Sequence, residues 1–363
     1  MGESVDGLPD SGKLLTAFRL LDGEIRNGQT PGGTAAAGSR TAIYGLYAAG
    51  SVGGGTEAGR PVVPETIYDC ASLTKVVVTL PLVLMLLEEG KLHLNEPVCR
   101  FLPEFGANGK ESVTVRQLLS HTSGLPAFFN LHGNGWPPER MWQEIAELRL
   151  EDVPGSRMVY SDIGFIVLGR LIAVLMKKPL DQAARERLFQ PLGMTDTGFC
   201  PGPELHARLA PTEFDEKLGR PKLGEVHDEN AYAFGGVSGH AGLFSTAGDL
   251  AKYARMWLGG GELDGTRVLS PASVEAAARS WTGTLPANRG LGWTLKGDPW
   301  DASGDLFSER SYGHTGFTGT SLWIDPQRDV FAVLLTNRVH YGRDKSVVRL
   351  RVCYHNAVAA SLS

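Results

Sequence analysis

The twelve residues from Val76 to Leu87 are apolar on almost every side of a predicted helix. A helix without a polar face has to be covered by other elements on all sides, so the pattern predicts a helix in the centre of the protein. The run is well short of the ~20 residues that a membrane span needs. Pro81 is expected to bend this helix and Gly90 to end it. The 363 residues of the chain are enough to cover such a helix, and they favour one large domain or two closely packed lobes.

The overall composition excludes some classes of function. A net charge of −5 and a sequence pI near 6.0 give no reason to expect nucleic acid or an anionic membrane as a partner. The four cysteines lie far apart and form no C-x-x-C pair, so free thiols are expected, and neither a disulfide framework, a metal site nor a cofactor is predicted. Residues 1–13 lack the basic and apolar segments of a secretory signal, so a cytoplasmic protein is expected unless an export signal has been removed.

Helical and strand-like patterns follow each other in an order that suggests the architecture. Apolar spacing predicts helices at residues 13–25, 115–119, 141–148, 163–176, 250–257 and 344–360. Strand-like runs occur at residues 42–47, 321–325 and 330–337, and residues 326–329 join the last two with a hairpin signature. This order predicts an α/β (α+β) fold, in which terminal helices cover an antiparallel sheet and a mainly helical lobe is inserted between the early and late strands. We expect the sheet lobe at about 1–85 and 262–363, and the helical lobe at about 86–261.

The segment Ser72-Leu73-Thr74-Lys75 stands directly before the apolar helix. Side chains three positions apart share a helix face, so the Lys75 amine can reach the Ser72 hydroxyl. A serine becomes a nucleophile when a base takes its proton, and a buried amine of lowered pKa can do this near pH 7. An N-cap serine followed by an exposed lysine has the same spacing. The segment alone is therefore a weak indication of a catalytic site.

A second segment points toward a cleft. The dipeptide Pro154-Gly155 is followed by a short polar loop that ends in Tyr160-Ser161-Asp162, directly before a predicted helix. A turn in this place can direct Tyr160 into a cleft. Packing of Tyr160 under the helix, with Ser161 or Asp162 as the cap, explains the same residues.

A third segment, His314-Thr315-Gly316-Phe317, precedes the predicted strand at 321–325. Small residues on an edge strand leave the backbone open to a substrate. A glycine-rich turn with an incidental histidine is the alternative interpretation.

Together the three segments are far more specific than each is alone. Ser-x-x-Lys, then Tyr-Ser-Asp 88 residues later and His-Thr-Gly a further 154 residues on, resemble the three-motif signature of serine β-lactamases and penicillin-binding proteins. Residues 118–125 and 239–251 also resemble connecting segments of that family. The resemblance spans residues 14–335 and is closest to class C β-lactamases, D-alanyl-D-alanine carboxypeptidases, D-aminopeptidases and family VIII carboxylesterases. It implies a single domain with the β-lactamase/transpeptidase-like fold.

The resemblance implies a role for each reacting group. Ser72 would form the acyl-enzyme, Lys75 would activate it and orient Tyr160, and Tyr160 would relay a proton to the leaving group. Which of Lys75 and Tyr160 is the general base stays open. The backbone N–H groups of Ser72 and Phe317 would form the oxyanion hole.

The resemblance also implies a substrate-binding side, where this chain departs from the common pattern. His314, Thr315 and Gly316 would face the carboxylate or acyl oxygen of the substrate. His314 replaces the lysine of most β-lactamases, and at its ordinary pKa of about 6.5 only roughly one quarter of it is protonated at pH 7. Asp162 replaces the usual asparagine, and an ionised carboxylate can only accept hydrogen bonds. Asp162 is expected to bind substrate or to pair with Lys75, which would keep the lysine charged and favour the tyrosine as base.

Other features of the sequence have a smaller bearing on function. His121 and His240 are expected to form structural hydrogen bonds. Substrate specificity is expected in the loops at residues 126–151 and 212–234.

The predicted function is serine hydrolysis through an acyl-enzyme, most directly by a carboxylesterase of small esters with slight β-lactam activity. Without an export signal the chain would have no access to peptidoglycan, which favours an esterase over a carboxypeptidase. The alternatives are a D-alanyl-D-alanine carboxypeptidase, a D-aminopeptidase-like amidase and a class C-like β-lactamase. A non-catalytic penicillin-binding module is a further alternative, against which intact Ser72, Lys75 and Tyr160 argue. A small ester or amide is the expected partner, with no nucleic acid and no membrane, and the oligomeric state stays open.

Overall fold

The computed structural model describes residues 9–54 and 59–362. Residues 1–8, on which much of the expected absence of an export signal rests, lie outside the described residues, as do 55–58 and 363. The strands are β1 Gly32–Gly38, β2 Ile43–Gly50, β3 Tyr68–Asp69, β4 Gly198–Phe199, β5 Phe214–Asp215, β6 Arg220–Pro221, β7 Leu243–Ser245, β8 Glu262–Leu263, β9 Thr266–Arg267, β10 Thr294–Leu295, β11 Tyr312–Thr315, β12 Ser321–Asp325 and β13 Val330–Thr336. The α-helices are α1 Ser11–Arg26, α2 Leu80–Glu88, α3 Val115–Leu119, α4 Pro138–Glu147, α5 Asp162–Met176, α6 Leu180–Ala184, α7 Glu229–Ala233, α8 Ala247–Leu258, α9 Pro271–Ala278 and α10 Val348–Ser361.

The largest sheet has six antiparallel strands in the order β10-β11-β12-β13-β1-β2. The predicted hairpin joins β12 and β13, with Asp325 opposite Val330. Because successive side chains of a strand point to opposite faces, β13 contributes to two cores: Val330 and Leu334 belong to the core that contains α1 and α10, and Phe331 and Leu335 belong to the core that contains α2 and α8. The sheet is thus covered on both faces, and the expected antiparallel sheet flanked by terminal helices is confirmed.

The apolar helix predicted at Val76–Leu87 is present in two parts. Lys75–Thr79 forms a π-helical turn, and the α-helix begins at Leu80. The N–H of Leu80 donates to the carbonyl of Lys75, and the next bond of this pattern would need an N–H at Pro81, which has none. The hydroxyl of Tyr253 on α8 donates instead to the free Val76 carbonyl, with an O–O distance of 2.5 Å. A side chain from a distant helix thereby satisfies the backbone group that the proline leaves open.

Between residues 86 and 261 the chain forms mostly short helices and loops, as expected. The helix α8 lies within the range predicted for the helical lobe, and it packs on β1, β12 and β13 of the large sheet. The division into a sheet lobe and a helical lobe stays a prediction. By its contacts, α8 is part of the layer that covers the large sheet.

The helices within residues 9–54 and 59–362 include none that is both long and apolar enough to cross a membrane.

Candidate active site

Ser72 follows the short strand β3 and lies one turn before Lys75. The preceding residue, Ala71, has a φ of +46°, a conformation that is uncommon for a residue with a side chain. The carboxylate of Asp69 accepts the N–H of Ala71 at 2.8 Å and stabilises this turn. The Ser72 Oγ then lies 3.3 Å from the Lys75 Nζ, as the three-residue spacing predicts.

Lys75 is fully buried and lies among three oxygen atoms. Its Nζ is 2.7 Å from Asp162 Oδ1, 3.1 Å from the His240 carbonyl and 3.3 Å from Ser72 Oγ. Burial by itself would lower the pKa of Lys75, but the Asp162 carboxylate and Tyr160 outweigh it, so the pKa is raised above its ordinary value. Lys75 is therefore charged at neutral pH and has no free electron pair with which to take the Ser72 proton.

Tyr160 lies against the same ammonium group. The Lys75 Nζ is 4.9 Å from the centre of the Tyr160 ring. The buried Tyr160 hydroxyl lies beside Ser72 and Lys75, without a hydrogen bond of standard geometry to any described residue. Burial raises the pKa of Tyr160 and the Lys75 cation opposes this, with a net upward shift that keeps the phenol neutral near pH 7. The structure thus brings the hydroxyl, the amine and the phenol of the first two motifs into one pocket.

His121 holds the loop that carries Tyr160. The Ser161 N–H donates to His121 Nδ1 at 3.0 Å, and the Val159 N–H donates to the His121 carbonyl at 2.9 Å. The two rings of His121 and Tyr160 pack with their centres 4.5 Å apart. Burial lowers the pKa of His121 well below its ordinary value, which leaves Nδ1 as an acceptor. His121 therefore positions Tyr160, the kind of structural role that the sequence predicts.

His240 has a similar supporting position. Its Nδ1 lies 2.8 Å from Ser238 Oγ, and its Nε2 lies 2.9 Å from Asp228 Oδ1. These two contacts fix the backbone carbonyl that accepts from Lys75.

His314 is less able to bind an anion than its sequence context suggests. It lies on β11, its Nδ1 is 2.8 Å from the Thr315 carbonyl, and its Nε2 has no partner within the described ranges. Burial lowers the pKa of His314 well below 6.5, and the nearby cations Lys75 and Arg289 lower it further. The sequence estimate of roughly one quarter protonation at pH 7 is therefore too high, because the free-solution pKa ignores burial. His314 is a neutral residue of the site.

The third motif forms an open edge next to Ser72. Strand β10 pairs with β11 only as far as Gly313, so Thr315 pairs with β12 alone. A Cβ on Gly316 would lie 2.1 Å from Thr320 Oγ1 and 2.5 Å from the Cys70 carbonyl, so only glycine fits there.

The two predicted oxyanion donors lie at this junction. In the described part of the chain, neither the N–H of Ser72 nor that of Phe317 has a hydrogen-bond acceptor. Both groups are thus able to donate to an incoming oxyanion.

A cavity of about 450 Å³ opens beside Ser72 and Tyr160. The third motif contributes His314, Thr315, Gly316 and Phe317 to its lining. Other lining residues are Arg289, Thr294, Trp300 and the residues of the C-terminal segment, Arg338, Arg343, Asp344, Lys345, Ser346, Val347, Val348 and Arg351.

The lining residues that lie outside the three motifs were not predicted from the sequence. Substrate specificity was predicted to lie in loops 126–151 and 212–234, and these loops supply none of the lining residues of this cavity. The available signal was the five basic residues between 338 and 351.

Two cations of this cavity, Arg338 and Arg351, have no carboxylate within ion-pair distance in the described part of the chain. The Arg351 Nη2 donates to the carbonyls of Gly316 and Thr320, at 2.6 and 2.9 Å. Arg338 donates to backbone carbonyls as well, including that of Arg343 at 3.0 Å. Burial lowers the pKa of Arg351 and repulsion from Arg338 adds to this effect. Neither guanidinium forms an ion pair with a described residue, but the Asp344 carboxylate is near enough to Arg338 to oppose the lowering of its pKa by burial. The uncompensated positive charge of the cavity therefore lies mainly at Arg351.

The sequence of this chain is similar to a family model and to named proteins. The beta-lactamase family model matches residues 19–353. A protein of Escherichia coli K12 named "Putative D-alanyl-D-alanine carboxypeptidase" is 33% identical over 304 residues, which cover 76% of this chain and 70% of that protein. A protein of the same name from Salmonella agona is 33% identical over 305 residues, with the same coverage.

Solved structures show the same fold. EstCE1, described as a hydrolase with promiscuous acyltransferase activity, superposes with a TM-score of 0.77 at 23% identity, over 96% of this chain and 99% of that one. A class C β-lactamase gives 0.77 at 20% identity, over 98% of both chains. A penicillin-binding protein homologue from Caulobacter crescentus gives 0.76 at 22% identity, over 97% of this chain and 99% of that one. The predicted β-lactamase/transpeptidase-like fold is confirmed, and the chain belongs to the beta-lactamase family of hydrolases.

Proposed function

We propose that this protein hydrolyses small carboxylic esters through an acyl-enzyme at Ser72. The proposal depends chiefly on the ion pair of Lys75 and Asp162, 2.7 Å apart beside the nucleophile. An ionised carboxylate has no hydrogen to donate to the carbonyl of an amide substrate. An alcohol or phenol also departs with less help from a proton donor than an amine does. Esters therefore suit this pocket better than amides.

The first chemical step joins the acyl group to the enzyme. The Ser72 Oγ forms a bond to the ester carbonyl carbon while its proton passes to the Tyr160 oxygen. In the same movement Tyr160 gives its own proton to the leaving oxygen, so the tyrosine stays a neutral phenol, and the carbon–oxygen bond of the ester then breaks. This relay needs a neutral phenol, in agreement with the raised pKa of Tyr160. Lys75 stays charged throughout and stabilises the oxygen atoms that exchange the protons.

The oxyanion of this step lies between the N–H groups of Ser72 and Phe317. One such donor typically lowers the barrier by about 3–4 kcal/mol. In the second step a water molecule attacks the acyl carbon and passes a proton to Tyr160, which at the same time gives its own proton to Ser72 Oγ. The bond between Ser72 Oγ and the acyl carbon then breaks. The products are the free carboxylic acid and the regenerated enzyme.

The test is ester turnover combined with intact-protein mass. Wild type and the variants Ser72→Ala and Tyr160→Phe are mixed briefly with p-nitrophenyl butyrate and with a D-alanyl p-nitroanilide. We expect turnover of the ester to be faster than that of the anilide with wild type, a transient butyryl adduct on wild type, strongly reduced turnover with Tyr160→Phe, and neither adduct nor turnover with Ser72→Ala. Turnover that survives in Ser72→Ala, or no ester turnover by wild type, contradicts the proposal.

A D-alanyl-D-alanine carboxypeptidase is the second candidate. The guanidinium group of Arg351, which has only carbonyl partners among the described residues, favours it, because the terminal carboxylate of a peptide would supply the missing anion. The names of the relatives at 33% identity also support it. Release of D-alanine from an N-acyl-D-alanyl-D-alanine peptide, measured beside the ester, decides between the two, and nitrocefin hydrolysis tests the β-lactamase alternative.

A further inference from the structure

Two exposed aromatic rings line the cavity beside Ser72. Trp300 is 55% exposed and Phe317 is 49% exposed, although both belong to a cavity wall. An arginine supports each ring: the Arg289 Cζ is 5.3 Å from the Trp300 ring centre, and the Arg338 Cζ is 4.6 Å from the Phe317 ring centre. Aromatic rings held in this way offer a surface on which a planar group can stack.

Trp300 is fixed in place by a buried ion pair. Arg289 donates to both carboxylate oxygens of Asp298 through Nε and Nη2, at 3.0 and 2.9 Å, and both side chains are almost fully buried. Asp298 Oδ1 also accepts the backbone N–H of Trp300 at 2.8 Å. A ring that is held before the substrate arrives loses little freedom on binding. Trp300 is thus both exposed to the cavity and held in place before a ligand binds.

The position of Trp300 identifies which part of a substrate it meets. Its ring centre is 5.1 Å from that of Tyr160. In the proposed mechanism Tyr160 delivers a proton to the leaving oxygen, so the group attached to that oxygen lies next to Trp300. The cavity therefore receives the leaving group.

The same cavity has a buried cation, Arg351, that forms no ion pair within residues 9–54 and 59–362. Arg351 is 8% exposed, and its Nε has no acceptor among the described residues. The neighbouring cation Arg343 is compensated by Glu213 and Glu229, and Arg338 is attracted by the nearby Asp344 carboxylate. Arg351 has only carbonyl partners among the described residues. A buried guanidinium without an anion is unfavourable, and a negatively charged group on the ligand removes that cost.

We infer that the leaving group of the natural substrate is an aromatic alcohol that carries a carboxylate. The ring would stack on Trp300 beside Tyr160, and the carboxylate would bind Arg351 with support from Arg338. The inference rests on the proposed ester hydrolysis at Ser72 and adds the class of substrate to it.

The experiment compares two aryl esters with the same acyl group, one with a negatively charged and one with a neutral ring substituent. These are 4-acetoxybenzoate and its neutral methyl ester, with p-nitrophenyl acetate as a measure of general esterase activity. We expect the wild type to prefer the anionic ester by about tenfold or more in kcat/KM, as a new charged hydrogen bond provides. Arg351→Gln is expected to bring this preference close to one, and Arg351→Lys to retain much of it. Trp300→Ala is expected to raise the KM of both aromatic esters, and Trp300→Phe to raise it less.

Arg338→Gln serves as a second charge-removing variant if Arg351→Gln does not fold, and it is expected to weaken the preference in the same direction. The inference is wrong if the wild type hydrolyses the two acetoxybenzoates equally, or if folded Arg351→Gln and Arg338→Gln both keep the preference. In those cases the hydrolysis of p-nitrophenyl acetate still supports the proposed function. If wild type hydrolyses none of the three esters, both the proposed function and this inference are wrong.

Discussion

The substitution Asp162→Asn measures what the ion pair with Lys75 contributes to the fold. The two groups are 2.7 Å apart, Lys75 is fully buried and Asp162 is 23% exposed. Removal of one partner from a buried pair typically costs about 3–5 kcal/mol. Because Asp162 is partly exposed and Lys75 keeps two other oxygen neighbours, Ser72 Oγ and the His240 carbonyl, we expect the lower end, a loss of about 3 kcal/mol in the free energy of unfolding at pH 7.

The difference in the free energy of unfolding between wild type and Asp162→Asn should decrease as the pH rises. In the wild type, Asp162 and Tyr160 raise the pKa of Lys75 above its ordinary value, so the stabilisation is present throughout neutral pH and is lost only in strong alkali. In the variant the carboxylate no longer opposes burial, which then lowers the pKa of Lys75 below its ordinary value of 10.5. The unfolded variant then binds more protons than the folded one up to about pH 10.5, so its stability rises with pH. The gap between the two proteins should therefore shrink as the pH rises toward the ordinary pKa of lysine, 10.5.

Urea denaturation followed by tryptophan fluorescence at pH 7 and pH 9.5 measures this gap. Glu139→Gln is the matched control, because it breaks the exposed ion pair with Arg170, in which the side chains are 71% and 40% exposed. That change is expected to cost less than about 1 kcal/mol at either pH. An equal loss for Asp162→Asn at both pH values, or no loss at all, would refute the reasoning about burial and charge.

Three further substitutions or measurements test other parts of the site. Tyr160→Phe is expected to lower kcat for esters by about 10²–10⁴-fold with little change in stability, since the hydroxyl has no standard hydrogen bond within the described residues; unaltered ester turnover would exclude the proton relay. Tyr253→Phe leaves the Val76 carbonyl without its donor and is expected to reduce the free energy of unfolding by about 1–3 kcal/mol in urea; an unchanged midpoint would show that another donor replaces it. His314, whose pKa burial holds well below 6.5, is expected to stay neutral at pH 6 in imidazole NMR spectra, and a titration near pH 6.5 would contradict this.

Much of the fold follows from local sequence patterns. The helices at Ser11–Arg26 and Asp162–Met176, and the hairpin of Ser321–Asp325 with Val330–Thr336, lie within a few residues of their predicted bounds. In these segments the apolar period or the turn residues act over short distances, which a single sequence displays.

The strand β1, Gly32–Gly38, has no such pattern and was not predicted. Its residues GGTAAAG include a single β-branched side chain, yet the strand lies between β13 and β2 and is buried along its whole length. A Cβ on Gly33 would lie 2.7 Å from the Leu335 carbonyl, and one on Gly38 would lie 2.3 Å from the Ala42 carbonyl. Close approach of neighbouring backbones selects small residues here, against the usual composition of strands.

The sequence by itself determined the family and the candidate reacting groups, because Ser72 and Lys75 are set three residues apart on one turn and the other two motifs mark the family. Only the tertiary structure decided the protonation state of Lys75 and the positive charge of the cavity. The pKa of Lys75 depends on Asp162, 87 residues away along the chain, and the positive charge of the cavity depends on Arg351, which lies 279 residues beyond Ser72. Electrostatic energy is set by distance in space and by burial, and neither quantity is visible in the order of the residues.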